Sequence, residues 1–203
     1  SPAVAVPQTR LEIVFVDAGV EDYEELVQGI RNDGSSSTQY EVVVLQQNES
    51  GVARVSATLS GRQDIDAIHV VSHGNDSGVS LGSDWLTSQN VDGFAWQIDE
   101  WKFALGDDAD LLIYGCDLAR SADGQELLES LSASCGCDVS ASVDATGSSS
   151  LGGDWELEYS VGAIETIVPF NSMTQADWKG VRQVVTVDTT NDIVDGDTSS
   201  LTN

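Results

Sequence analysis

Basic side chains are scarce in this chain. Eight lysines and arginines stand against 34 aspartates and glutamates, for a net charge of −26. A surface of that sign repels phosphate backbones and anionic headgroups, so nucleic acid and anionic membrane are poor candidates as partners. It suits a soluble protein in a salty or calcium-rich medium, where counterions screen the self-repulsion. No apolar run approaches roughly 18 residues, which excludes a membrane-spanning helix. Ser1-Pro2-Ala3-Val4 lacks a signal-peptide pattern, as expected of a chain that starts after a removed leader or within a longer protein. Cysteine is also sparse. Cys116, Cys135 and Cys137 cannot form an even framework, so the fold is not expected to rest on disulfides. Cys135-Gly136-Cys137 could close only a very tight ring, which disulfide geometry disfavours. The pair reads as two small buried residues at an element boundary.

What is present is enough apolar material for one core of ordinary size: 203 residues, 40% apolar and 21% charged. After a polar leader (residues 1–10), residues 11–17 read as a strand rich in β-branched residues. Residues 22–30 have helical spacing, with Tyr23, Leu26, Val27 and Ile30 on one face and acids in the first turn. A Gly/Ser loop leads to a strand at 40–45. Residues 51–59 fit a short helix or a strand. Residues 65–72 form a third strand ending at His73, and 79–81 a small hairpin arm. A helix within 85–105 carries Phe94, Ile98, Trp101 and Leu105. Strand 111–114 ends at Cys116, a leucine helix spans 124–133, and strand 138–143 follows. Residues 155–160 alternate and are expected to pair with 163–167 through a turn near Gly162. Alternating strands and helices with near-continuous apolar strands imply an α/β three-layer sandwich around a mainly parallel sheet, plus a C-terminal β-hairpin. The core domain is expected over 11–168. Residues 169–203 read as a linker and the start of a following module.

Two strands end in reactive side chains beside glycine: Ser72-His73-Gly74 and Tyr114-Gly115-Cys116-Asp117. Each half is bland alone. His73 is an ordinary loop histidine, and a lone cysteine is more often an inert one. Together, at the ends of successive parallel strands, they place an imidazole and a thiol where open α/β sheets carry their sites. A thiol there is nucleophilic if a neighbouring imidazole or positive end lowers its pKa. Glycine lets a backbone N–H approach a substrate, so the amides of Gly74 and Cys116 are the candidate oxyanion hole. His69 sits within the apolar strand and reads as a buried supporting residue.

The two boxes, in this order, resemble the caspase-like (clan CD) cysteine peptidases. Further features more closely resemble an uncharacterised bacterial domain family found near the start of large secreted repeat proteins and adhesins. They are Leu81-Gly82, Leu112–Ala119, Gly124 with its leucine helix, Val143–Gly147 and Gly152–Glu158. The resemblance spans residues 11–166. It implies a secreted or cell-surface cysteine endopeptidase or self-processing domain with a Cys116–His73 dyad and a polypeptide substrate, its own chain included. Cys116 would attack the scissile carbonyl and His73 would protonate the leaving amine. By the same resemblance Asp144 would line a pocket for an arginine or lysine before the cut bond, with Asp117 as a second acid near the cleft. The ordinary reading of Asp144 is a turn aspartate. Lys179-Gly180 and Arg182-Gln183 would then be self-processing sites. The competing expectation is a catalytically silent adhesin module for binding or display. An esterase or acyltransferase using Cys116 fits the dyad less well.

The chemistry requires no cofactor. Asp188, Asp192, Asp195 and Asp197 are spaced closely enough to offer oxygen ligands to calcium. The run lacks the bidentate glutamate of the helix-loop-helix calcium pattern, and a solvated linker is its ordinary reading.

Overall fold

A computed structural model describes residues 9–30 and 37–178. Strands β1 (Arg10–Asp17) and β2 (Thr38–Leu45) flank helix α1 (Tyr23–Gln28). The ambiguous 51–59 segment is helix α2 (Gly51–Leu59). Its start is fixed by Ser50, whose Oγ accepts from the Ala53 N–H at 3.2 Å and donates to Asp84 at 2.7 Å. Strand β3 (Ile65–Val71) leads into three short strands, β4 (Gly74–Asn75), β5 (Gly78–Leu81) and β6 (Asp84–Thr87), which form a separate antiparallel sheet. The helix expected within 85–105 is only α3 (Ala95–Asp99), with a 3-10 turn on either side. Strand β7 (Leu105–Tyr114), helix α4 (Ala122–Cys135), strand β8 (Asp138–Ala141), strand β9 (Tyr159–Val161) and helix α5 (Ser172–Asp177) complete the order.

The main sheet runs β2-β1-β3-β7-β8-β9. Its first five strands are parallel, and β9 is antiparallel at the edge. Side chains of alternating parity go to opposite layers. Ile13, Phe15, Ile68, Val70, Leu111 and Ile113 pack with α2, α3 and α4. Val14, Val16, Ala67, Val71, Leu112 and Tyr114 pack with Leu26, Trp155, Phe170 and Trp178. This is the expected mainly parallel α/β architecture with helices on both faces.

Three expectations are corrected. The C-terminal hairpin does not form. Tyr159–Val161 pairs with β8 instead, and the backbone of 163–166 is held by side chains. Ala163 donates to Asp138 at 3.0 Å, and Glu165 and Thr166 donate to Asp110 at 3.2 and 3.0 Å. The alternation that suggested a strand is broken as well: Trp155 and Leu157 pack in one layer, Tyr159 in the other. Second, Cys135 and Cys137 are joined in a disulfide. Gly136, in the left-handed conformation (φ 66°), caps α4 and turns the chain back so that the two Cα atoms lie 5.4 Å apart. Third, the chain does not leave the body at Val168. Phe170 and Trp178 are buried, and Asn171 hydrogen-bonds the Gly29 carbonyl through its backbone (3.1 Å) and its side chain (3.0 Å). A linker was suggested there because polar residues outnumber the two aromatic anchors.

Candidate active site at the carboxyl edge of the sheet

The strand order reverses between β1 and β3, so a crevice opens where these two strands end. Asp17 closes β1 there. Its carboxylate is buried and accepts from the Gly19 N–H (2.8 Å), the Gly82 N–H (2.8 Å), and the hydroxyls of Ser72 (3.2 Å) and Ser80 (3.3 Å). One side chain thus ties together the ends of β1 and β3 and the small sheet.

His73 follows directly. Its Nε2 lies 2.9 Å from the Gly19 carbonyl oxygen. A carbonyl only accepts, so Nε2 carries the proton and the lone pair of a neutral ring falls on Nδ1. Nδ1 is buried and has no hydrogen-bond partner. An oriented imidazole with a bare second nitrogen has the form of a general base. The orienting group is a backbone oxygen, which no side-chain pattern could reveal. The signal that was available is Asp17, an acid ending an apolar strand, followed at once by glycine.

Gly74 and Gly115 bring the two boxes together. A Cβ built on Gly74 would lie 3.1 Å from the backbone of Gly115 and 3.2 Å from the Cys116 carbonyl oxygen. Any side chain at Gly74 would push these loops apart by a few tenths of an ångström. The histidine box and the cysteine box therefore abut through their main chains at the ends of the adjacent strands β3 and β7.

Cys116 remains a thiol and is fully buried. Its sulfur accepts from the Thr146 N–H at 3.2 Å, and the thiol faces the Thr146 carbonyl oxygen at 3.8 Å. Thr146 is itself buried, with a hydroxyl oxygen that finds no partner. The loop after β8 therefore covers the thiol.

Acids cluster beside it. Asp117, in the left-handed conformation (φ 59°), donates its N–H to the Asp144 carbonyl at 2.7 Å. Carboxylate oxygens of Asp144, Asp154 and Glu158 come within 4.8 Å of one another. Burial, then the charges of Glu158, Asp154 and Asp117, raise the Asp144 carboxyl above the usual range, against a Ser142 hydrogen bond that lowers it. The proposed pocket acids thus lie together next to Cys116, with Asp144 exposed. A carboxyl raised on folding favours the fold below its unfolded pKa and loses that contribution as pH rises through the folded value. Asp144→Asn is therefore expected to raise Tm slightly at pH 7 and to change nothing at about pH 3, where the wild-type group is protonated. Thermal melts at both values check this. An equal shift at both would put the effect elsewhere.

A cleft of about 490 Å³ lies away from this edge, lined by Leu59–Gln63 and Glu100–Ala104 apart from Lys102. It presents no nucleophile paired with a base. Lys179, Arg182, Asp188, Asp192, Asp195 and Asp197 lie outside the described residues.

Fold and edge together define a parallel α/β protein whose histidine and cysteine boxes meet at the carboxyl ends of adjacent strands. The chain belongs to the family described as a domain of unknown function, DUF4347, whose model matches residues 13–181. No curated protein and no solved structure matches it.

Proposed function

We propose that the chain is a cysteine endopeptidase domain of the self-processing kind, with a preference for cleavage after arginine or lysine, and that it rests in a covered state. The observation that carries this reading is His73: one nitrogen is bound to the Gly19 carbonyl and the other is bare, beside the Gly115-Cys116 box. In the proposed reaction the Cys116 sulfur attacks the scissile carbonyl and forms a thioester. His73 takes the thiol proton and passes it to the leaving amine, and water then hydrolyses the thioester. The N–H groups of Gly74 and Cys116 would hold the developing oxyanion. Asp144 and Asp117 would attract a basic side chain before the cut bond. The Cys135–Cys137 disulfide supports an oxidising compartment, hence secretion or a cell-surface location.

The second reading, a silent binding or display module, is favoured by one observation: the Cys116 sulfur is buried under Thr146. Labelling with an electrophilic peptide that carries arginine at its reactive end separates the two. For the peptidase, Cys116 is modified and His73→Ala slows labelling by about 10²–10⁴-fold. Intact mass then shows trimming after Lys179 or Arg182 in wild type and none in Cys116→Ala. Labelling that is absent, or indifferent to His73, with identical masses for both proteins, leaves the silent module standing.

A further inference from the structure

Asp110 and Asp138 are directly opposite each other in the parallel register of β7 and β8. They lie toward the amino end of the sheet, away from His73 and Cys116. Like charges in that position repel. The turn after β9 adds a third acid, Glu165, and one carboxylate oxygen from each of the three comes within 4.8 Å of the other two. The turn is built on these acids: Ala163 donates to Asp138, while Glu165, Thr166 and the Thr166 hydroxyl all donate to Oδ2 of Asp110. Oδ1 of Asp110 is left without a partner although the residue is 1% exposed. A buried, unmatched carboxylate oxygen is costly.

Arg10 is the nearby cation among the described residues. Its Nη2 is on the Thr166 hydroxyl at 2.9 Å and its Nε on Glu12 at 3.0 Å. Its field reaches Asp66 and Asp110, but it donates no hydrogen bond to Oδ1. Three clustered carboxylates, one of them buried with an unmatched oxygen, thus share a single nearby guanidinium that is already engaged by Glu12 and Thr166.

We propose that Asp110, Asp138 and Glu165 bind a calcium ion. All three donors are hard oxygens, with no imidazole or thiolate among them, which selects calcium over zinc or copper. Asp138 is half-buried and Glu165 exposed, so water can complete the large coordination shell that calcium accepts. The bound ion clamps the 162–166 turn onto the ends of β7 and β8. This site is independent of the peptidase reading.

The test is calorimetric and thermal titration of the full chain with calcium chloride, and with magnesium chloride for comparison. Calcium at a hundredfold excess over Kd is expected to raise Tm by about 5–10 °C. The effect of calcium should exceed that of magnesium. Glu165→Gln, a change at an exposed position, should weaken binding at least about tenfold, as should Asp138→Asn. Asp154→Asn, in the acidic cluster beside Cys116, should leave the shift intact. No rise in Tm at about 10 mM calcium, where even a weak extracellular-type site is filled, would overturn the proposal. So would a rise unchanged in Glu165→Gln, or equal binding of magnesium.

Discussion

A chain ending at Val168 is expected to fail to fold, whereas one ending at Gln183 holds the structure. The shorter chain loses Phe170 and Trp178, which are buried against Tyr114 and Trp155. Ring centroids of Trp155 lie 4.8 Å from Phe170 and 5.8 Å from Trp178, so the loss opens the centre of one layer. Removing a buried aromatic side chain costs about 3–5 kcal/mol. Two of them cost about 6–10 kcal/mol, comparable with the entire stability of a domain. Polar links go as well: the Trp155 indole loses the Gln175 carbonyl and Glu21 loses the Trp178 indole N–H. Circular dichroism melts of the two chains decide the matter. A cooperative transition for the 1–168 chain within a few degrees of the longer one would show that the aromatic layer is dispensable.

Glu12→Ala is expected to lower stability by about 3–5 kcal/mol, from a buried hydrogen-bond partner lost at His69 and an ion pair lost at Arg10. Glu12 lies in the sheet with its side chain 2% exposed, bridging Arg10 at 3.0 Å and His69 at 2.8 Å. His69 has no exposed surface. Its Nε2 faces the carboxylate and its Nδ1 lies 3.4 Å from the Tyr114 hydroxyl. Truncating Glu12 leaves the buried Nε2 of His69 without its partner and removes the acceptor of Nε of Arg10, which is one-third exposed and keeps Thr166. The corresponding fall in Tm is about 6–20 °C. Glu12→Gln keeps an acceptor oxygen and should recover part of the loss. If Glu12→Ala melts within a degree or two of wild type, the trio does not stabilise the fold.

Much of this molecule is readable from residue patterns. Four strands, β1, β2, β3 and β7, carry runs of β-branched and aliphatic residues and announce themselves, while β8 (Asp-Val-Ser-Ala) is short and mixed. The two reactive boxes are legible for the same reason: each interrupts such a run with a polar side chain and a glycine. What escapes is set by contacts distant in sequence. Gly19 orients His73 from 54 residues away through a carbonyl oxygen, and every residue has one of those. Asp110 looks like the polar start of an apolar run until the turn at 162–166 folds over it. Residues 163–166 have the composition of a strand, but acids on β7 and β8 take up their N–H groups first. The Cys135–Cys137 ring depends on one positive-φ glycine, which spacing alone does not disclose.

The placement of β1 sets the timing of folding. It is the first strand among the described residues, yet it lies inside the sheet between β2 and β3. The layer over it is finished by residues near the far end: the Trp178 indole meets the Glu21 carbonyl across 157 positions. Closing a loop of that length loses chain entropy before any burial repays it, so such contacts form late. On the ribosome, or while threading through a secretion channel, the chain cannot seal this layer until Trp178 has emerged. The histidine at the end of β3 and the cysteine at the end of β7 therefore reach their final positions only once Trp178 is in place. Under the proposed self-processing after Lys179 or Arg182, that order of events would keep the blade sheathed until Trp178 has emerged.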